Sequence, residues 1–189
     1  MFFVDAQPLI LASASPRRTE ILRTAGIPFE VIPSRAEEVG HGSMPVEETV
    51  VENARRKALE VSARHPGRLV LGADTLVALG DAKLGKPRDR AHAKEMLRTL
   101  SGNTHSVLTG VCITDGNRVE TALSVSRVTF RELSDALIEE YVASGECDDK
   151  AGAYGIQGKG CILVEKIHGD YFSIVGLPIC TVRKMLEQF

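Results

Sequence analysis

Several charged side chains in this chain stand where helix and strand formation give no reason for them. Arg17 and Arg18 follow Leu9-Ile10-Leu11-Ala12-Ser13-Ala14-Ser15-Pro16. Ser15 suits an N-cap and Pro16 a first helical residue, so both arginines fall in a first turn. That end of a helix carries partial positive charge and favours acids instead. Two readings stay open. Both side chains point into solvent at small cost, or strand, Ser-rich turn and helix start form an anion site. There the hydroxyls of Ser13 and Ser15 and the first-turn N–H groups would face a phosphate that the arginines clamp. The GxxxxGK[ST] pattern is absent, so such a site is not a P-loop.

Lys57 is misplaced in another way. Val46, Val50, Ala54 and Val61 form one stripe at about 100° per residue, and Lys57 falls inside it while Arg55, Arg56 and Glu60 lie opposite. It is either a lysine snorkelling past the core edge or an ammonium reaching a negative ligand. Asp74 interrupts the apolar run Leu69-Val70-Leu71-Gly72-Ala73-Asp74-Thr75-Leu76-Val77. A buried carboxylate is costly unless it is paired or holds a metal. A nearby arginine would make it structural. A strand end in an α/β protein, with Gly72 leaving room for close approach, would make it functional.

Other residues complete a set. Lys86, in Gly85-Lys86-Pro87, precedes a helix. Glu37 and Glu38 are either a solvated loop pair or oxygen ligands for a hard divalent cation beside Asp74. The stretch from Asp149 and Lys150 to Gly158 is loop-like, with glycines for close backbone approach, and Gln157 offers a donor and an acceptor to a base edge. Bases that neutralise a polyphosphate and carboxylates that hold Mg²⁺ and activate water make one coherent picture.

These residues need a scaffold, and the patterns supply one. Residues 9–12 and 29–33 read as strands, and 17–25 and 46–63 as helices, the second introduced by Ser43 and Pro45. Residues 69–79 read as a bent strand or strand pair and 90–100 as a helix. Residues 105–114 and 118–130 form a hairpin about Asp115-Gly116-Asn117. Ser134 caps a helix to Ser144, stopped by Gly145. Residues 161–167 and 171–175 read as strands around His168-Gly169-Asp170, and Pro178 starts a last helix. Early strand–helix alternation and later hairpins predict an α/β protein with a mixed sheet.

Composition narrows the function classes. The chain has 189 residues, 43% hydrophobic and 25% charged, as ordinary soluble proteins do. A net charge of −2 gives no overall field for nucleic acid, so no nucleic-acid partner is expected. No apolar stretch approaches the length of a membrane span, and MFFVDAQP is too short in its apolar run for a signal sequence. A cytoplasmic protein is expected. Cys112, Cys147, Cys161 and Cys180 form no CxxC pair and read as reduced core thiols.

Ser13-Ala14-Ser15-Pro16-Arg17-Arg18, Gly72-Ala73-Asp74-Thr75, Gly85-Lys86-Pro87, Leu100-Ser101-Gly102 and the run DKAGAYGIQG at 149–158 closely resemble the Maf family. The match runs in order over nearly the whole chain. The resemblance implies one domain, residues 1–189, with a mixed twisted sheet flanked by helices and two lobes around a deep nucleotide-binding cleft. It implies a nucleoside triphosphate pyrophosphatase that cleaves between the α and β phosphates. A divalent metal (Mg²⁺ or Mn²⁺), a homodimer and a cytoplasmic house-cleaning role linked to septum formation come with it. By motif position Asp74 is the proton acceptor, Glu38 and Asp74 hold the metal, and Arg18, Lys57 and Lys86 line the triphosphate. Ser13, Ser15, Asp149 and Lys150 join the substrate-binding set. Arg17, Thr75 and Gln157 resemble the branch acting on dTTP and UTP, where the branch acting on 7-methyl-GTP differs. Two rivals remain at this point: a non-catalytic nucleotide sensor of cell division, and a phosphatase or kinase-like enzyme working at the γ phosphate.

Overall fold

The computed structural model describes residues 7–40 and 44–189. Ser43 and most of the N-terminal MFFVDAQP lie outside the described residues. Among the described residues seven strands form one mixed sheet in the order β2-β1-β3-β5-β6-β7, with β4 on β3. Its strands are β1 (Leu9–Leu11), β2 (Phe29–Val31), β3 (Val70–Leu79), β4 (Ala82–Leu84), β5 (Thr104–Thr114), β6 (Val119–Phe130) and β7 (Val164–His168). The helices are α1 (Pro16–Thr24), α2 (Val46–Arg64), α3 (Arg90–Leu100), α4 (Asp135–Ala143), α5 (Tyr171–Val175) and α6 (Ile179–Leu186). The expected α/β class with a mixed sheet is what forms.

The chain divides into two compact units. One takes the chain up to Asp74, with Thr109–Ser124 and Gly176–Phe189; the other takes Thr75–Leu108 and Val125–Val175. In the first, β1 pairs in parallel with β2 and with β3, the arrangement that βα crossovers produce. Ile10, Ala12, Ala54, Ala58, Val61, Val70 and Cys112 form a buried cluster there. Small residues dominate the α2 side of it for a steric reason. A Cβ on Gly72 of β3 would lie 2.2 Å from Ala54 O, and one on Gly110 of β5 would lie 2.4 Å from Val50 O. Helix α2 therefore lies with its backbone directly on two strands. The close approach expected at Gly72 is real, and the approaching group is this helix.

In the second unit, β3 turns back antiparallel into β4, and β6 pairs antiparallel with β7. Leu97, Leu100, Val128, Phe130, Ile138, Tyr154 and Leu163 belong to its larger core. Helices α3 and α4 start as their sequences predict, with Asp89 Oδ1 accepting from His92 N and Ser134 Oγ from Leu137 N.

Three readings are corrected. Residues 171–175 are not a strand but the helix α5. Tyr-Phe-Ser-Ile-Val has strand propensity, yet Asp170 Oδ1 accepts from Phe172 N (2.8 Å) and Asp170 O from Ile174 N (3.3 Å), which turns the chain helically. The strand expected at 161–167 begins only at Val164. Before it, Lys159–Leu163 winds into a 3-10 turn, because Glu146 Oε1 accepts from Lys159 N (3.0 Å). Of the four free thiols, Cys112 and Cys147 are buried as expected, whereas Cys161 and Cys180 are exposed. Among the described residues no helix is long and apolar enough to cross a membrane.

Candidate active site

Asp74 is the centre of the first unit's charged cluster. It lies on β3 and is only 7% exposed. Its carboxylate is gripped from both sides by one helix. Lys57 Nζ donates to Oδ1 at 2.7 Å, and Asn53 Nδ2 donates to Oδ2 at 3.1 Å. Residues four apart share a helix face, so α2 presents both donors together. Lys57 Nζ also lies 2.6 Å from Glu38 Oε1. The lysine inside the apolar stripe thus joins two carboxylates. Val50, Ala54 and Val61 of that stripe are buried, Val46 is partly so, and Arg55 and Arg56 face solvent as expected.

Arg18 is braced by the protein. Its Nε donates to Gly176 O and its Nη1 to Ser13 Oγ, both at 2.9 Å. Burial holds its pKa below the ordinary guanidinium value; the charges of Asp74 and Glu38 oppose that effect and the charge of Arg17 adds to it. The guanidinium remains a cation at any physiological pH. Ser13 Oγ accepts from Arg18 and from Ser15 N (3.2 Å), so its own proton is left to donate elsewhere. Ser15 is the N-cap residue of α1, but its side chain makes no capping bond, and no acidic residue sits in the first turn. Arg17 is partly buried in that turn.

Thr75, Lys86, Asp149, Lys150 and Gln157 belong to the second unit. Thr75 is partly buried on β3; Lys86, Asp149 and Gln157 are exposed. Lys150 Nζ pairs with Asp149 Oδ1 at 2.5 Å. The Gly-rich stretch is tightly held. Gly152 N donates to Gly85 O (3.0 Å), which ties this stretch to the turn carrying Lys86. Gly155 N donates to Tyr141 Oη (3.0 Å), and burial raises the Tyr141 phenol to about 12. Gly152 takes φ 70°, and Ala153 φ 59°, the left-handed region that a residue with a Cβ enters at a cost.

The sequence signalled Arg18, Lys57 and Asp74 by their wrong surroundings and left Glu38 between a solvated loop residue and a cation ligand. The structure brings Lys57 against both Asp74 and Glu38, with Arg18 in their field. It missed Asn53, which lies 1% exposed on α2. Its spacing of four from Lys57 was the available signal. It also missed the Gly176 carbonyl and the Tyr141 hydroxyl, whose roles depend on contacts far along the chain.

Fold and cluster together define an α/β protein with a buried aspartate among convergent carboxylates and cations. Residues 8–189 match the family model described as Maf-like protein, and the chain belongs to the Maf family. A dTTP/UTP pyrophosphatase of Bacillus anthracis (strain CDC 684 / NRRL 3495) is 50% identical over 182 residues, 96% of this chain and 95% of that one. One of Bacillus cytotoxicus is 50% identical over 181 residues, 95% of this chain and 94% of that one. The solved structure of a Ham1 protein from Staphylococcus aureus aligns with TM-score 0.46 at 16% identity, over 68% of this chain and 73% of that one.

Proposed function

We propose that this protein hydrolyses nucleoside triphosphates, dTTP and UTP foremost, to the monophosphate and pyrophosphate. The convergence of Lys57 on both Asp74 and Glu38, beside the cation of Arg18, is the observation that carries the reading. Half-identical relatives named dTTP/UTP pyrophosphatase supply the substrate class.

A hard divalent cation fits these residues. Two carboxylates reach a common point at Lys57 Nζ, and no larger cluster of His, Cys, Asp and Glu exists among the described residues. Mg²⁺ is commonly held by one or two carboxylates, with substrate phosphates and water completing its shell. Glu38 and Asp74 would hold it, and bound there it supplies positive charge against the triphosphate oxygens.

The chain's own residues do the rest. Asp74 accepts a proton from the water whose oxygen bonds to the α phosphorus, while the bond from that phosphorus to the bridging oxygen breaks. The electron pair leaves with pyrophosphate. Arg18, Lys57 and Lys86 hold the charge growing there. Each oxygen of Asp74 already accepts one bond, and each keeps a lone pair for water. Ser13, with its free proton, Ser15 and Arg17 take phosphate oxygens at the start of α1. On the second unit, Thr75, Asp149, Lys150 and Gln157 contact the nucleotide, with Gln157 matched to the donor–acceptor edge of uracil or thymine. The proposal includes the whole chain acting as one domain, a homodimeric and cytoplasmic state, and a house-cleaning role linked to septum formation.

A panel of triphosphates with Mg²⁺, scored for pyrophosphate and for orthophosphate, tests the reading. Pyrophosphate and monophosphate from dTTP and UTP are expected. Diphosphate and orthophosphate as products would reject it in favour of attack at the γ phosphate.

A further inference from the structure

The side chain of Asn53 spans two parts of the site, the Asp74 carboxylate and the backbone beside Glu38. Its Nδ2 donates to Asp74 Oδ2 at 3.1 Å, and its Oδ1 accepts from the backbone N–H of Val39 at 2.7 Å. The second bond decides the orientation of the amide. An N–H can only donate, so the Asn53 oxygen must face Val39 and the nitrogen must face Asp74. Val39 follows Glu38, the other carboxylate that Lys57 touches.

We propose that Asn53 is a positioning residue of the reaction: it sets the plane of the Asp74 carboxylate and, through Val39, the place of Glu38. This rests on the reading above, in which Asp74 takes the proton. The terminal torsion of an aspartate has a broad minimum, so rotamer preference leaves its plane unset. Two donors on opposite oxygens fix it, and both come from α2. That helix is seated close on the sheet, because Gly72 and Gly110 let its backbone rest on β3 and β5 with no space left for a Cβ. At 1% exposure Asn53 has no water to replace a lost partner. One amide therefore keeps both carboxylates in register with the lysine between them.

The test compares Asn53→Leu, which keeps the branched skeleton of the side chain and removes both bonds, with Asn53→Ala, which removes them without crowding. Steady-state kinetics on dTTP are paired with thermal unfolding and with calorimetric binding of a non-hydrolysable α,β-methylene analogue of dTTP. We expect kcat to fall by about a hundredfold in the folded variants, the scale of a small misplacement of a reacting group. KM and the Kd of the analogue should change far less than kcat, staying within about threefold of wild type, since Arg18, with its bonds to Gly176 and Ser13, and the base-facing residues keep their own contacts. If Asn53→Leu does not fold, Asn53→Ala decides. A folded variant with kcat within about twofold of wild type, or with KM raised and kcat kept, overturns the proposal. Failure of the wild-type protein to release pyrophosphate from any triphosphate would instead overturn the reading on which it rests.

Discussion

A carboxylate in an apolar strand poses a sharp question at the scale of one residue. From sequence, Asp74→Asn should keep or raise the melting temperature, because it removes a buried charge. The partners found here reverse that expectation. Asp74 accepts from Lys57 and Asn53, and an amide cannot accept on its nitrogen side. Lys57 retains Glu38, which softens the loss. Asp74→Asn should therefore fold but lose about 1–3 kcal/mol in denaturant unfolding, the range for leaving a buried donor without its acceptor. Turnover should fall at least about a hundredfold, as the loss of a general base does. Near-wild-type turnover in the folded variant would remove Asp74 from the chemistry.

Helix α2 is the element on which the first unit's site depends. It delivers Asn53 and Lys57 to Asp74, and its height above the sheet is set by Gly72 and Gly110. Gly72→Ala should push Ala54 and Ala58 away and cost about 3 kcal/mol, with activity falling alongside stability. A loss below about 1 kcal/mol in urea unfolding would show that α2 moves cheaply. Much of this element was legible. The apolar stripe and the misplaced lysine both follow from one helical period. Asn53 was not, because a buried amide on a stripe edge reads like any polar border residue. Its partners, Val39 and Asp74, become neighbours only when the fold closes. The misread α5 fails for a related reason: its residue types favour a strand, and the bonds to Asp170 that override them involve a residue placed outside the segment.

At the scale of the whole molecule, the second unit's core carries a pH dependence of its own. His105 is buried, its Nε2 is 2.8 Å from Tyr154 Oη, and its Nδ1 has no partner among the described residues. Burial lowers its pKa from 6.5 to about 4. Between those values the unfolded chain binds the proton and the folded chain does not, so stability is full above pH 6.5 and falls toward pH 4. The loss amounts to about 3 kcal/mol. Wild type should lose more melting temperature between about pH 7 and pH 4.5 than His105→Gln does, and equal losses would contradict this. The class of fold and the charged set were readable in the sequence; which bonds hold each charge was not, since those bonds join distant segments. The central claim is attack of water on the α phosphorus, and one measurement addresses it directly: hydrolysis of dTTP in ¹⁸O-labelled water, followed by mass spectrometry of both products. The account predicts the label in dTMP and none in pyrophosphate. Label in pyrophosphate, or in orthophosphate released with dTDP, would contradict it.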